Sequence, residues 1–147
     1  MKRYRTWLWL AVVFLFLNAC IHTIAMFAHP TPANETERQL IYLMTNYKID
    51  LGAGFKRSYY QLFTALSSCY SFICLLSGLT LTFLLKRRAP VDILKGVAGI
   101  HALVFVALAV VIAMLTFLAP IILSGLTALF LTIGWLTTPA REPAAES

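Results

Sequence analysis

Charged side chains are missing from most of this chain. None occurs from Trp7 to Ala28, from Ser58 to Leu85, or from Gly96 to Ala140. Charged residues make up 12% of the whole, against roughly 25% in a soluble domain. Runs of that length exclude a water-soluble core. A helix crosses the hydrocarbon of a bilayer in about 20 residues, so the first two runs hold one span each and the third holds two. The expected spans are residues 7–28, 58–85, 96–118 and 120–137. They fill a single transmembrane domain over residues 1–138 and leave only a short polar, disordered tail, 139–147.

Ionisable groups at membrane depth are also lacking, apart from histidine. Proton-coupled pumps and transporters place an acid or base in the conduction path, and a small four-span drug transporter carries an acid in its first helix. This chain has none there. Cysteine is sparse: Cys20, Cys69 and Cys74 all fall inside apolar spans. Three thiols with no Cys-x-x-Cys supply neither a disulfide framework nor a disulfide-exchange pair; small buried side chains are the plain reading. Leu17-Asn18-Ala19-Cys20 has the outline of a lipoprotein cleavage box, but the apolar run continues through Ala28, and the first span is read as an uncleaved helix.

What charge there is lies at the span ends. Lys2, Arg3 and Arg5 precede the first span, and Lys86, Arg87, Arg88 and Lys95 separate the second from the third. Basic residues collect on the cytoplasmic side of short loops. Both termini are therefore expected inside, and the segment between spans one and two outside. The net charge of +6 is accounted for by this bias and does not call for nucleic acid. The expectation that follows is a multi-pass membrane protein with both termini cytoplasmic.

Trp7 and Trp9 suit the inner interface, where an amphipathic ring keeps one end wet. His29-Pro30 ends span one, since proline cannot continue the helical ladder. In the outer segment, Leu40, Leu43, Met44 and Tyr47 recur at helical spacing with Ile41 alongside. The spacing predicts an amphipathic helix over about 34–47, lying on the membrane or capping the bundle. Thr31-Pro32 or an Asn34/Glu37 capping box can start it. Asp50-Leu51-Gly52-Ala53-Gly54 reads as a flexible turn into span two. Ser67/Ser71 and Thr64/Ser68 in span two, Gly99, Ala102, Ala109 and Ala113 in span three, and Ser124, Ala128 and Thr132 in span four form small-residue faces that let helices approach. The expected architecture is all-α: a four-helix transmembrane bundle with an amphipathic outer cap helix.

His22 and His101, on different spans, raise the possibility of haem ligation. At 1.5 Å per residue they sit at depths of about 22 Å and about 8 Å, too far apart for axial ligands of an upright haem. No cofactor or metal is called for. The densest polar set is at the outer end: His22 and Thr23, then Asp50, then Arg57, Ser58, Tyr60 and Gln61, with Ser124 and Thr127 near the start of span four. These groups can converge on one outward-facing pocket. Arg57 offers a fork of donors to a phosphate or carboxylate, or serves as an interfacial anchor paired with Asp50.

His22-Thr23, the stretch Met44…Tyr47-Lys48-Ile49-Asp50-Leu51-Gly52, and Arg57-Ser58-x-x-Gln61-x-Phe63 together resemble a family of small bacterial four-span membrane proteins of unknown function. The likeness covers about residues 10–85 and implies a shared architecture and outer site. An acid stands in that family where this chain has Gln61, and an aromatic where it has Ile49, so the resemblance carries no acid/base role to position 61. It supplies no activity.

The leading expectation is a non-enzymatic membrane protein that binds a membrane lipid, a membrane-protein partner or a second copy. The rival is a membrane enzyme acting on a lipid or isoprenoid-like substrate, with His22 as acid/base and Tyr60 or Gln61 as its polar partner. A haem or quinone carrier is a third, weaker reading.

Overall fold

The structure is a computed structural model that describes residues 3–28 and 31–140. Its elements run α1 (Arg3–Met26), α2 (Glu35–Asn46), β1 (Lys48–Asp50), β2 (Lys56–Ser58), α3 (Tyr59–Lys86), α4 (Val91–Leu115) and α5 (Leu118–Thr137). Four helices, α1, α3, α4 and α5, are long and apolar enough to cross a membrane, as the charge-free runs require. The fold is all-α apart from one two-stranded hairpin. Lys2, His29-Pro30 and residues 141–147 lie outside the described residues, and with them the proposed proline stop of span one and most of the tail.

Helix boundaries are set by local features that shift them from expectation. Helix α4 starts at Val91 rather than Gly96, because Pro90 occupies its N-cap and Asp92 sits in the first turn, where a negative charge suits the helix dipole. The turn before α5 falls at Thr116-Phe117, not at Ala119-Pro120; Pro120 lies in the first turn of α5, where its missing N–H has no partner to lose. Helix α3 ends in a Schellman motif. The Ala89 N–H reaches the Leu84 carbonyl (3.0 Å) and the Arg88 N–H the Leu85 carbonyl (3.3 Å), with Arg88 at φ 51° in the place usually held by glycine.

The chain divides into two units. One contains α1 up to Ala19, α3 from Ile73, α4 and α5; the other is Cys20–Phe72. In the first, Leu8, Leu15, Leu81, Leu94, Phe105 and Leu131 are fully buried and form the core. Small residues set the helix spacing. A Cβ on Gly134 would lie 2.5 Å from Leu8 Cδ2, and one on Gly78 3.2 Å from the Phe16 ring. Of the expected small-residue face on α4, Ala102 enters the core and Gly99 lies against Trp135, where a Cβ would come within 2.8 Å of the indole Nε1. Ala109 and Ala113 instead line an open apolar groove with Gly125 and Leu129 of α5.

Polar groups tie this unit at two levels. Asn18, 3% exposed, donates through Nδ2 to Thr127 Oγ1 (2.9 Å) and to the Leu123 carbonyl (3.2 Å) of α5, as well as to Phe14 on its own helix (2.9 Å). At one end, Arg5 donates to the Leu85 carbonyl (2.7 Å) and Lys95 to the Thr138 carbonyl (2.7 Å). The start of α1 meets the end of α3 there, and the start of α4 meets the end of α5. The cations satisfy terminal carbonyls that a helix leaves open and sit at the negative dipole end.

Large apolar side chains cover the outer surfaces of the long helices; Ile24, Leu103 and Met114 are each at least 70% exposed. A lipid solvent admits this where water would not. It also explains why Cys20 and Cys69 are exposed, with only Cys74 buried, against the expectation of three buried thiols.

Candidate functional site

The Cys20–Phe72 unit holds seven of the sequence-selected residues, His22, Thr23, Asp50, Arg57, Ser58, Tyr60 and Gln61, and the last turns of α1. Its outer helix forms as expected. Asn34 is the N-cap, its Oδ1 accepting from the Glu37 N–H (2.9 Å), while Glu37 accepts from the Ala33 N–H (2.7 Å). Two apolar edges run along α2. Ile41 and Met44 turn toward the rest of the unit, whereas Leu40, Leu43 and Tyr47 are each more than half exposed.

Residues 48–58 are not a flexible turn. They form an antiparallel hairpin in the register Lys48↔Ser58, Ile49↔Arg57, Asp50↔Lys56. Gly52, Ala53 and Gly54 close it, all with positive φ (83°, 50° and 82°). Asp50 fixes the turn by accepting from the Gly52 N–H (2.9 Å). The register puts Asp50 and Arg57 on opposite faces, so they do not pair. Arg57 instead lies over the Phe55 ring, 5.7 Å from its centroid. Among the described residues the ion pair is Arg38–Glu35 (3.2 Å).

Ser58 and Gln61 are spent largely on structure. The Ser58 N–H donates to Gln61 Oε1 (3.0 Å), and the Gln61 N–H to Ser58 Oγ (3.3 Å). This is a capping box at the start of α3. Its Ser-x-x-Gln spacing is the sequence signature of such a box.

A cavity of about 350 Å³ opens between α2, the end of α1 and the start of α3. Ala25, Met26, Ile41, Met44 and Phe63 give it apolar walls, and Thr45, Tyr60 and Thr64 contribute hydroxyl-bearing side chains. The Tyr60 hydroxyl donates to the Met26 carbonyl (3.3 Å), supplying a partner to the open end of α1. The size falls in the range of small-molecule pockets, about 300–1,000 Å³.

The remaining predicted residues scatter. His22 packs edge-on against Tyr70 of α3, ring centroids 4.9 Å apart. Its buried Nε2 has no hydrogen-bond partner, and neither does the buried Ser71 Oγ of the same unit. Thr23 is exposed on α1. Asp50 and Arg57 are exposed on the hairpin and are not among the cavity's lining residues. Ser124 and Thr127 belong to the other unit and are fully buried in its packing. Of the predicted set, then, Tyr60 lines the cavity. His101 bonds the Val97 carbonyl of its own helix through Nδ1 (2.8 Å). Among the described residues no group of three His, Cys, Asp or Glu side chains could hold a metal ion.

No protein-family model, curated protein or solved structure matches the chain. Four apolar helices fit a small four-span membrane protein; the family likeness rests on the short motifs alone.

Proposed function

We propose that this chain is a multi-pass membrane protein of the bacterial inner membrane whose outer unit holds a lipid acyl chain. The cavity among α1, α2 and α3 carries this reading, because its walls are apolar and three separate elements of one unit build it. Thr45, Tyr60 and Thr64 supply the cavity's polar edge for the bound molecule. Both termini lie in the cytoplasm. Arg5 and Lys95 meeting the ends of α3 and α5 at one pole of the other unit supports that orientation, since basic residues gather inside.

The enzymatic alternative has less support. His22 retains a free nitrogen, but Gln61 is held in a helix cap and the Tyr60 hydroxyl is bonded to a backbone carbonyl, so both intended partners are engaged elsewhere.

Native mass spectrometry of the detergent-extracted protein tests the binding reading. Wild-type protein is expected to retain lipid. Ala25→Phe with Thr64→Leu, which fills the cavity, is expected to lose it. Gly125→Leu, where a Cβ meets nothing within 4 Å, fills the α4/α5 groove and is expected to keep it. Equal retention in the cavity-filled variant removes the proposal.

A further inference from the structure

The 48–58 hairpin has two unlike faces. Side chains opposite each other in an antiparallel pair share a face, and neighbours along a strand alternate. Ile49 and Arg57 therefore point to one side, joined by Leu51 and Phe55, which pair across the turn through the Leu51 N–H to Phe55 carbonyl bond (2.9 Å). Lys48, Asp50 and Lys56 point to the other. Leu51 and Phe55 are 52% and 57% exposed, and Arg57 stacks on Phe55. Asp50 is committed to the turn. Lys56 stands opposite Asp50 in the register, whereas Lys48 and Arg57 face Ser58 and Ile49, so the hairpin carries three cations against one acid.

Where this hairpin sits follows from the helix joined to it. Strand β2 ends at Ser58 and α3 starts at Tyr59 with no residue between. Helix α3 has 28 residues, a length of about 42 Å at 1.5 Å per residue. That matches a whole bilayer with its headgroups, about 40–45 Å. The hairpin thus begins at headgroup level, and Phe55 lies within about 13 Å of the helix start at 3.3 Å per residue.

We infer that the hairpin is a lipid-surface clamp: Leu51 and Phe55 enter the interfacial layer of the adjoining leaflet, and Arg57 with Lys56 and Lys48 binds the phosphates of anionic phospholipids. The occupant is chosen by charge and by position. An excess of positive charge, Lys48, Lys56 and Arg57 against Asp50, beside an exposed apolar pair and at headgroup depth complements an anionic lipid surface. This surface is separate from the cavity and does not depend on it.

The test uses full-length protein with Cys20, Cys69 and Cys74 replaced by alanine and Ala53→Cys carrying an environment-sensitive fluorophore. The protein is reconstituted into phosphatidylglycerol or phosphatidylcholine vesicles containing headgroup-nitroxide lipids. The label is expected to be quenched in both, more strongly with phosphatidylglycerol, and the difference is expected to shrink in high salt. A basic side chain at an anionic surface is worth about a five-fold preference, so Lys56→Gln/Arg57→Gln is expected to lower selection for phosphatidylglycerol by about twenty-five-fold. Leu51→Ser/Phe55→Ser is expected to reduce quenching in both lipids. All four positions except the turn-paired backbone are solvent-facing, and unchanged far-ultraviolet circular dichroism verifies the fold. Water-like emission insensitive to nitroxide lipids overturns the inference. So does energy transfer between labelled copies that survives dilution in lipid, which would make the occupant a second copy, and so does equal selection in the Gln variant.

Discussion

Replacing Asn18 by leucine removes both amide N–H donors from the first long helix while keeping the branched shape of the side chain. In the native structure two amide hydrogens serve three acceptors, and two of these acceptors are on α5. Thr127 passes the bond on, its hydroxyl donating to the same Leu123 carbonyl (2.9 Å). Leucine loses all three bonds, but the Phe14 carbonyl is also a backbone acceptor within α1, so the cost falls mainly on the interhelical pair. Hydrogen bonds between membrane helices are worth about 0.6 kcal/mol on average and up to about 1.7. Asn18 is 3% exposed and Thr127 fully buried, which places this contact toward the upper half. Asn18→Leu is expected to destabilise by about 1 kcal/mol. Asn18→Ala adds a cavity and is expected to cost about 2 kcal/mol or more. A double-mutant cycle with Thr127→Val isolates the pair, with an expected coupling of about 0.6 kcal/mol. Reversible unfolding in mixed detergent micelles, followed by circular dichroism, measures all four proteins. If Asn18→Leu is as stable as wild type, the contact does not join α1 to α5 and the packing of that unit is misassigned.

Other perturbations probe separate parts of the fold. Gly134→Leu drives a side chain into Leu8 and is expected to destabilise by about 1–3 kcal/mol, read in the same unfolding experiment. Ala53→Gly relieves a left-handed residue whose cost is about 1–2 kcal/mol, less the extra freedom of glycine in the unfolded chain; slower amide exchange at Phe55 is the expected sign. Gly52→Ala or Gly54→Ala does the reverse at the same turn. Arg5→Gln and Lys95→Gln each keep a donor but lose the charge at a helix C-terminus, and are expected to lower stability by about 0.3–1 kcal/mol, with the loss diminishing in high salt.

Long-range features were legible in the sequence where a single physical property dominated. Bilayer thickness and missing charge located four helices to within a few residues, because no other structure satisfies the backbone in lipid. The start of α2 was legible because Asn34 and Glu37 are adjacent in sequence and act locally. The hairpin was not, since its strands are three residues each and too short for an alternating pattern to stand out. Its Asp-x-Gly turn and the polar-apolar alternation from Lys48 to Leu51 are the signals that were there. Asn18 does not stand out in the sequence because an uncharged residue leaves a hydropathy run intact. Its partner lies more than a hundred positions away, beyond any local rule. The second roles of Arg5 and Lys95 were hidden for the same reason: a charge count places them at an interface and does not say which carbonyl they meet. The outer polar set reads as one cluster in sequence. In three dimensions its members divide among a helix cap, a turn, a cavity wall and another unit, because Asp50, Ser58, Gln61, Ser124 and Thr127 each meet a backbone group close by in sequence.

The most direct test of the account is accessibility of single cysteines in intact cells, in a background without Cys20, Cys69 and Cys74. A membrane-impermeant maleimide is expected to label Ala53→Cys from outside, and to label Arg88→Cys and Ala140→Cys only after permeabilisation. Labelling of residue 53 from the cytoplasmic side, or of residues 88 and 140 from opposite sides, contradicts four crossings with an outer lipid-binding unit.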